Sequence, residues 1–185
     1  MKKLALLILL LACISCDQST SKKENQELEV VTEQEMAPEA DIKEAINNSL
    51  ENWHKAAATA NFEDYFGLMT KDGVFIGTDA MENWQNKEFR EFSKPYFDKG
   101  KAWNFTTLDR NIYVQHNSDL AWFDELLSTQ MGICRGSGIM EKVEDTWKVK
   151  HYVLSIAIPN DNVSEVTALK KQTDTLLISK LQSAN

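Results

Sequence analysis

The sequence predicts an α+β fold in which one curved antiparallel sheet packs on N-terminal helices. Apolar residues recur at helical spacing from about residue 41 to residue 97. After Gly100 the period changes to two and stays so as far as Ile158, broken only by short polar turns. Helices first and a meander of strands afterwards is the α+β order.

The first element opens near Asp41, which with Glu44 three residues later fits an N-cap and capping box. Ile42, Ala45, Ile46, Leu50, Trp53, His54 and Ala57 follow on one face, giving a helix of about five turns. Phe62, Tyr65, Phe66 and Met69 suggest a second, shorter helix. Lys71-Asp72-Gly73 reads as a turn and Val74-Phe75-Ile76 as a short strand. From Asn86 to Phe97 a third helix carries Phe89, Phe92, Tyr96 and Phe97, with Pro95 making its last turn irregular. Five strands are then expected: Trp103 to Leu108, Asn111 to His116, Leu120 to Ser128, Cys134 to Val143 and Thr146 to Ile158. Asn117-Ser118-Asp119 and Glu144-Asp145 supply two of the turns. Beyond Pro159 a last helix places Val166, Leu169, Thr173 and Leu176 at heptad-like spacing. It is read as docking on its own domain or on a partner rather than as a long coiled coil.

The N-terminus reads as a leader. Lys2 and Lys3 precede an unbroken apolar run from Leu4 to Leu11. Eight residues cannot span a bilayer as a helix, which needs about 20. A basic start, a short apolar core and a small residue before a processing point describe a secretory signal. Leu10-Leu11-Ala12-Cys13 resembles the lipobox of bacterial lipoproteins, and Ile14-Ser15-Cys16 also fits, so Cys16 or Cys13 would carry the lipid. The expected organisation is a signal at 1–16, a disordered tether at 17–40, a domain at 41–159 and a helical tail at 160–185. The tether is polar and poor in large apolar residues, and as a flexible coil it would reach roughly 25–30 Å. The expected location is the bacterial cell envelope, outside the cytoplasm, with membrane attachment through lipid only.

Charge excludes some partners. Losing Lys2 and Lys3 with the leader leaves 18 of the 20 basic side chains against 28 acidic ones. That balance disfavours nucleic acid, which is bound by neutralising phosphates. No Cys/His cluster has zinc-ligand spacing and no Gly-rich phosphate loop is found, so no metal and no cofactor is expected. Cys134 is the only cysteine beyond the leader, so no disulfide is expected within the domain.

Several short stretches stand out within this order of elements: Trp53-His54 on the opening helix, Phe75-Ile76-Gly77-Thr78 followed by Trp84, and Ala121-Trp122-Phe123. Arg135-Gly136-Ser137-Gly138 and the closing Trp147-Lys148-Val149-Lys150-His151 complete them. In this order and spacing they resemble the SnoaL-like branch of the nuclear transport factor 2-like superfamily. The resemblance implies a cone in which helices close one end of a strongly curved sheet around a central pocket. It implies no single activity, because members include isomerases, dehydratases, polyketide cyclases and non-catalytic binding domains. It also implies a homodimer as one possibility, through the outer sheet face.

Register then selects residues for such a pocket. A hairpin centred on Gln130 would set Glu125 opposite Arg135 and Asp124 opposite Gly136. A two-residue turn at Glu144-Asp145 would set Gly138 opposite His151 and Glu141 opposite Lys148. Opposed residues share a face. The mostly apolar face would carry Trp122, Asp124, Leu126, Gly136, Gly138, Met140, Val149, His151 and Val153, and should point inward. Asp124 and His151 would then stand two strands, roughly 10 Å, apart. Gly136 and Gly138 would leave room between them. Asp124 could act as a general base and His151 as acid or oxyanion donor, or each could be a satisfied structural residue. The expected pocket comprises Trp53, His54, Tyr65, Trp84, Trp103, Trp122, Asp124, Gly136, Gly138 and His151. Glu125 with Arg135 reads as a structural cross-strand pair.

The function expected first is binding of a small apolar ligand in the cone. The alternatives are a lyase or isomerase acting through Asp124 and His151, and a homodimeric interaction module. The ketosteroid isomerase arrangement of base plus two oxyanion donors is not matched position by position.

Overall fold

The structure is a computed structural model that describes residues 38–184. The signal, both lipobox cysteines and the tether as far as residue 37 lie outside the described residues. Helix α1 spans Glu39–Ala58 and α2 spans Phe62–Gly67. Strands β1 (Met69–Ile76) and β2 (Asn83–Gln85) lead into α3 (Asn86–Asp98). Four long strands follow: β3 (Thr106–Val114), β4 (Leu120–Thr129), β5 (Gly132–Val143) and β6 (Thr146–Ile156). A short 3-10 turn at Asn160–Asn162 precedes α4 (Val163–Ser183).

The α+β expectation holds. All six strands form one sheet in the order β2-β1-β6-β5-β4-β3. It is antiparallel except where β1 runs parallel to β6. Helices α1, α2 and α3 contribute Ile46, Leu50, Trp53, Tyr65, Phe66, Phe89 and Phe97 to a core shared with the sheet's inner face.

Local chemistry explains most element ends. Asn61 caps α2 by accepting the Asp64 N–H, and Glu88 accepts the N–H of Gln85 at the start of α3. Helix α1 starts earlier than Asp41: Pro38 holds the N-cap position, so Asp41 lies within the first turn and residues 39 and 40 leave the expected tether. Its fixed φ suits a helix entrance. The expected turn at Lys71-Asp72-Gly73 is absorbed into β1 as an irregularity between Met69 and Val74. The two strands expected between Trp103 and His116 are one strand, β3, with an irregularity between Thr107 and Asp109. Helix α4 does not dock on the domain, for none of its residues is buried.

Register is where the sheet departs most from expectation. The β4–β5 loop is two residues long, with Thr129 paired to Gly132. Thr129 Oγ1 accepts the Met131 N–H and donates to the Gly132 carbonyl, while Gly132 takes a φ of 84° that favours glycine. This sets Glu125 opposite Gly136 and Asp124 opposite Ser137, one residue away from a loop centred on Gln130. A one-residue slip turns every side chain of β4 over. Ala121, Phe123, Glu125 and Leu127 therefore point inward, and Trp122, Asp124 and Leu126 point outward.

The β5–β6 hairpin keeps the expected turn, with Glu141 opposite Lys148, but its register shifts between Ile139 and Met140. Lys150 is the extra residue of this bulge. Val149 and Tyr152, three apart, both point inward as a result. His151 and Val153, expected inside, turn to the outer face, and Gly138 faces Tyr152 instead of His151.

Candidate functional site

The inward turn of β4 places a carboxylate in the middle of the core. Glu125 is 1% exposed, and each of its oxygens accepts two hydrogen bonds. His54 Nε2, from α1, and the Tyr152 hydroxyl, from β6, donate to Oε1 at 2.9 and 2.8 Å. Arg110 Nε and Nη2, from β3, donate to Oε2 at 2.9 and 2.7 Å. The guanidinium is itself anchored by Asn47 and Glu51 of α1 and by Thr107, with distances of 2.8, 2.8 and 2.9 Å. Four separate elements thus meet on one carboxylate.

Burial pushes the Glu125 carboxyl up, but the hydrogen bonds and charges of His54 and Arg110 outweigh it and hold the carboxyl below its usual range. The Tyr152 hydroxyl is pushed well up, by burial first and then by the carboxylate beside it. Gly136 makes this geometry possible. A Cβ there would lie 2.2 Å from the Tyr152 hydroxyl and 2.9 Å from Glu125 Oε1. Gly138 serves the same purpose one pair along, where a Cβ would meet the His151 carbonyl at 2.3 Å and the Phe123 ring at 3.0 Å. Neither glycine leaves a vacant space for a ligand; both admit neighbouring protein atoms.

Aromatic rings fill the rest of the cone. Trp53 stacks on Tyr65 at 4.9 Å, Phe75 on Phe89 at 4.3 Å, and Trp103 on Phe89 at 5.6 Å. Tyr152 lies between Phe75 and Phe123. Within this packing Trp53 Nε1 is buried without a hydrogen-bond partner.

Of the expected pocket, Trp53, His54, Tyr65, Trp103, Gly136 and Gly138 are brought together on the inner side, and Trp84, opposite Phe75 and stacked on Phe92 of α3 at 4.8 Å, packs against that core from its edge. Trp122, Asp124 and His151 are not. Trp122 stacks on Tyr113 on the outer sheet face at 5.8 Å. Asp124, on the same face, accepts from Asn111 Nδ2 and from the Tyr113 hydroxyl at 3.2 and 3.3 Å. His151 is on that outer face too, so neither member of the expected acid–base pair points into the cone. The expected Glu125–Arg135 pair is replaced by Glu125–Arg110, with Arg135 exposed on the other face. Sequence reasoning passed over Arg110 and Tyr152 entirely. A two-residue loop at Gln130-Met131, followed by Gly132, was the available signal, since it sets Glu125 opposite Gly136.

With its acceptor positions filled by protein donors, Glu125 clamps the sheet to α1; no lone pair is left for a substrate proton. Cys134 is a buried free thiol beside Thr129. Among the described residues no group of three His, Cys, Asp or Glu side chains is placed to hold a metal ion.

Removing the carboxylate should therefore cost stability. Glu125→Ala leaves Arg110 buried without its main counter-charge, and urea unfolding should show a loss of about 3–5 kcal/mol. The native carboxyl binds protons less readily than the same group in the unfolded chain. Its contribution is thus complete at neutral pH and is lost as pH falls through the carboxylate range. The urea midpoint of the native protein should fall steeply on acidification, and Glu125→Gln should flatten that dependence.

Comparison with known proteins places the fold. Residues 46–159 match the family model of the SnoaL-like domain. An NTF2-like protein of unknown function from Pseudomonas putida KT2440 superposes with a TM-score of 0.56 at 12% identity, covering 68% of this chain and 94% of that one. A Nostoc punctiforme protein of unknown function with a cystatin-like fold gives 0.53 at 15% identity, covering 66% and 96%. The association domain of C. elegans CaMKII gives 0.53 at 20% identity, covering 64% and 98%. No curated protein matches the chain. The matched segment takes in α1 from Ile46, the whole six-stranded sheet and the buried Glu125 cluster. The chain belongs to the SnoaL-like domain family.

Proposed function

We propose that this protein is a self-associating, non-catalytic SnoaL-like module, held at the bacterial cell envelope by a lipid on Cys13 or Cys16. The observation that carries self-association is the apolar outer face of β3–β6. Tyr113, Trp122 and Ile139 lie side by side on one rung with Leu120 next to them, all exposed, Trp122 by 49%. An exposed apolar cluster of this kind marks an interaction site. Its occupant is a second copy, because such a patch can meet its own image about a two-fold axis. The four strands have nine to twelve residues each. At about 4.8 Å between strands and about 3.3 Å per residue, their face measures roughly 600 Å². A structural neighbour described as an association domain is consistent with this use of the fold. The acid–base alternative has less support, since Asp124 and His151 lie outside the cone and Glu125 is saturated.

Trp122→Glu would place a charge in the centre of the interface. Light scattering should show the native chain as a dimer and the variant's association weakened by at least about 30-fold, the effect of one hot-spot residue. A native chain that is monomeric at every concentration tested would remove the proposal.

The anchor rests on the basic start, the apolar run and the two lipobox-like cysteines. Radioactive palmitate should label the native protein. Only one of Cys13→Ala and Cys16→Ala should abolish labelling, which identifies the attachment residue.

A second reading, a small ligand held in the cone, is favoured by the unpartnered Trp53 Nε1. An occupant with an acceptor atom could satisfy that donor if the surrounding rings moved apart. Mass spectrometry of protein purified from its native envelope should then release a stoichiometric small molecule; its absence leaves the cone a closed core.

A further inference from the structure

Helix α4 runs from Val163 to Ser183 with no buried residue. Leu169 is 84% exposed and Leu176 68%. In isolation such a helix is marginal, because most helical stability comes from burying one face and Thr167, Thr173 and Thr175 are poor helix formers. We propose that α4 pairs in parallel with α4 of a second copy of this chain. The reading rests on the self-association proposed above and extends it to a second contact.

Spacing and charge both select another α4 as the occupant. Val166, Leu169, Thr173 and Leu176 occupy alternating a and d positions of two heptads, so an identical helix presents the matching seam. In that register Glu165 falls at a g position and Lys170 at the following e position. A parallel pair brings each Glu165 beside the partner's Lys170, opposite charges on both sides of the seam. Lys170 already bridges to Asp174 at 3.5 Å, on the exposed surface where exchange costs little.

Area gives an independent reason. Two outer sheet faces of roughly 600 Å² each bury about 1,200 Å² in total, the lower end for a stable specific interface. A 21-residue helix about 32 Å long and about 10 Å wide adds roughly 300 Å² per copy. The total of about 1,800 Å² lies within the usual range.

Cross-linking tests the pairing. The full chain carrying Cys13→Ser and Cys16→Ser keeps only the buried Cys134. Adding Leu176→Cys, at a seam position, should give a disulfide-linked dimer within minutes of mild oxidation in detergent solution. Lys171→Cys, on the opposite side of the helix, should link at least tenfold more slowly. Equal linking of both variants, or of neither, overturns the helix pair. If light scattering still shows a dimer that Trp122→Glu dissociates, only the helix pair has failed. If Leu176→Cys links selectively while Trp122→Glu leaves the dimer intact, the helix pair stands and the sheet interface fails.

Discussion

The fold depends on a single carboxylate. Glu125 accepts hydrogen bonds from α1, β3 and β6 while itself belonging to β4, so four elements share one anchoring point. A buried ion pair gives little net stabilisation compared with an apolar core, but breaking one is expensive. A register in which β4 is turned over would strand Arg110 and Glu125 on different faces. The polar cluster is thus a physical reason for one register to prevail over its neighbours.

The aromatic rings surrounding the cluster perform a complementary task. Trp53, Tyr65, Phe75, Phe89, Trp103 and Tyr152 occupy the volume that a curved sheet and three helices enclose. Their rings meet in stacked, tilted and edge-on contacts, the geometries that aromatic pairs favour. They also exclude water from the ion cluster, which strengthens its hydrogen bonds. Among the described residues the interior between sheet and helices is thus occupied by the protein's own aromatic side chains. The self-association proposed above accordingly uses the outside of the molecule, the sheet face bearing Tyr113 and Trp122 and the seam positions of α4.

Much of the architecture was legible in the residues. The switch from helical to strand periodicity after Gly100, the turn at Glu144-Asp145 and the helix beyond Pro159 are local patterns, and the structure reproduces them. The site was not legible to the same degree. Along β4 both faces read as apolar, Ala121-Phe123-Leu127 on one side and Leu120-Trp122-Leu126 on the other, each with one carboxylate. Alternation cannot choose between two such faces. The choice fell to the loop length at Gln130-Met131, which turned Trp122 and Asp124 outward, and to the bulge at Lys150, which did the same to His151.

The sequence by itself determined the fold class, the order of the main helices and strands, the charge balance and the expectation of a lipid anchor. These follow from composition and from periodicity over short windows, which local sterics and hydrophobic burial control. Tertiary structure alone decided that Glu125 rather than Asp124 lies in the core, that Arg110 and Tyr152 complete its shell, and that α4 stands apart from the domain. The reason is that a strand's two faces differ by a single residue of register, and register is fixed by contacts between segments far apart in the chain. His54 and Glu125 are 71 residues apart, Arg110 and Asn47 are 63, and no local pattern records either meeting.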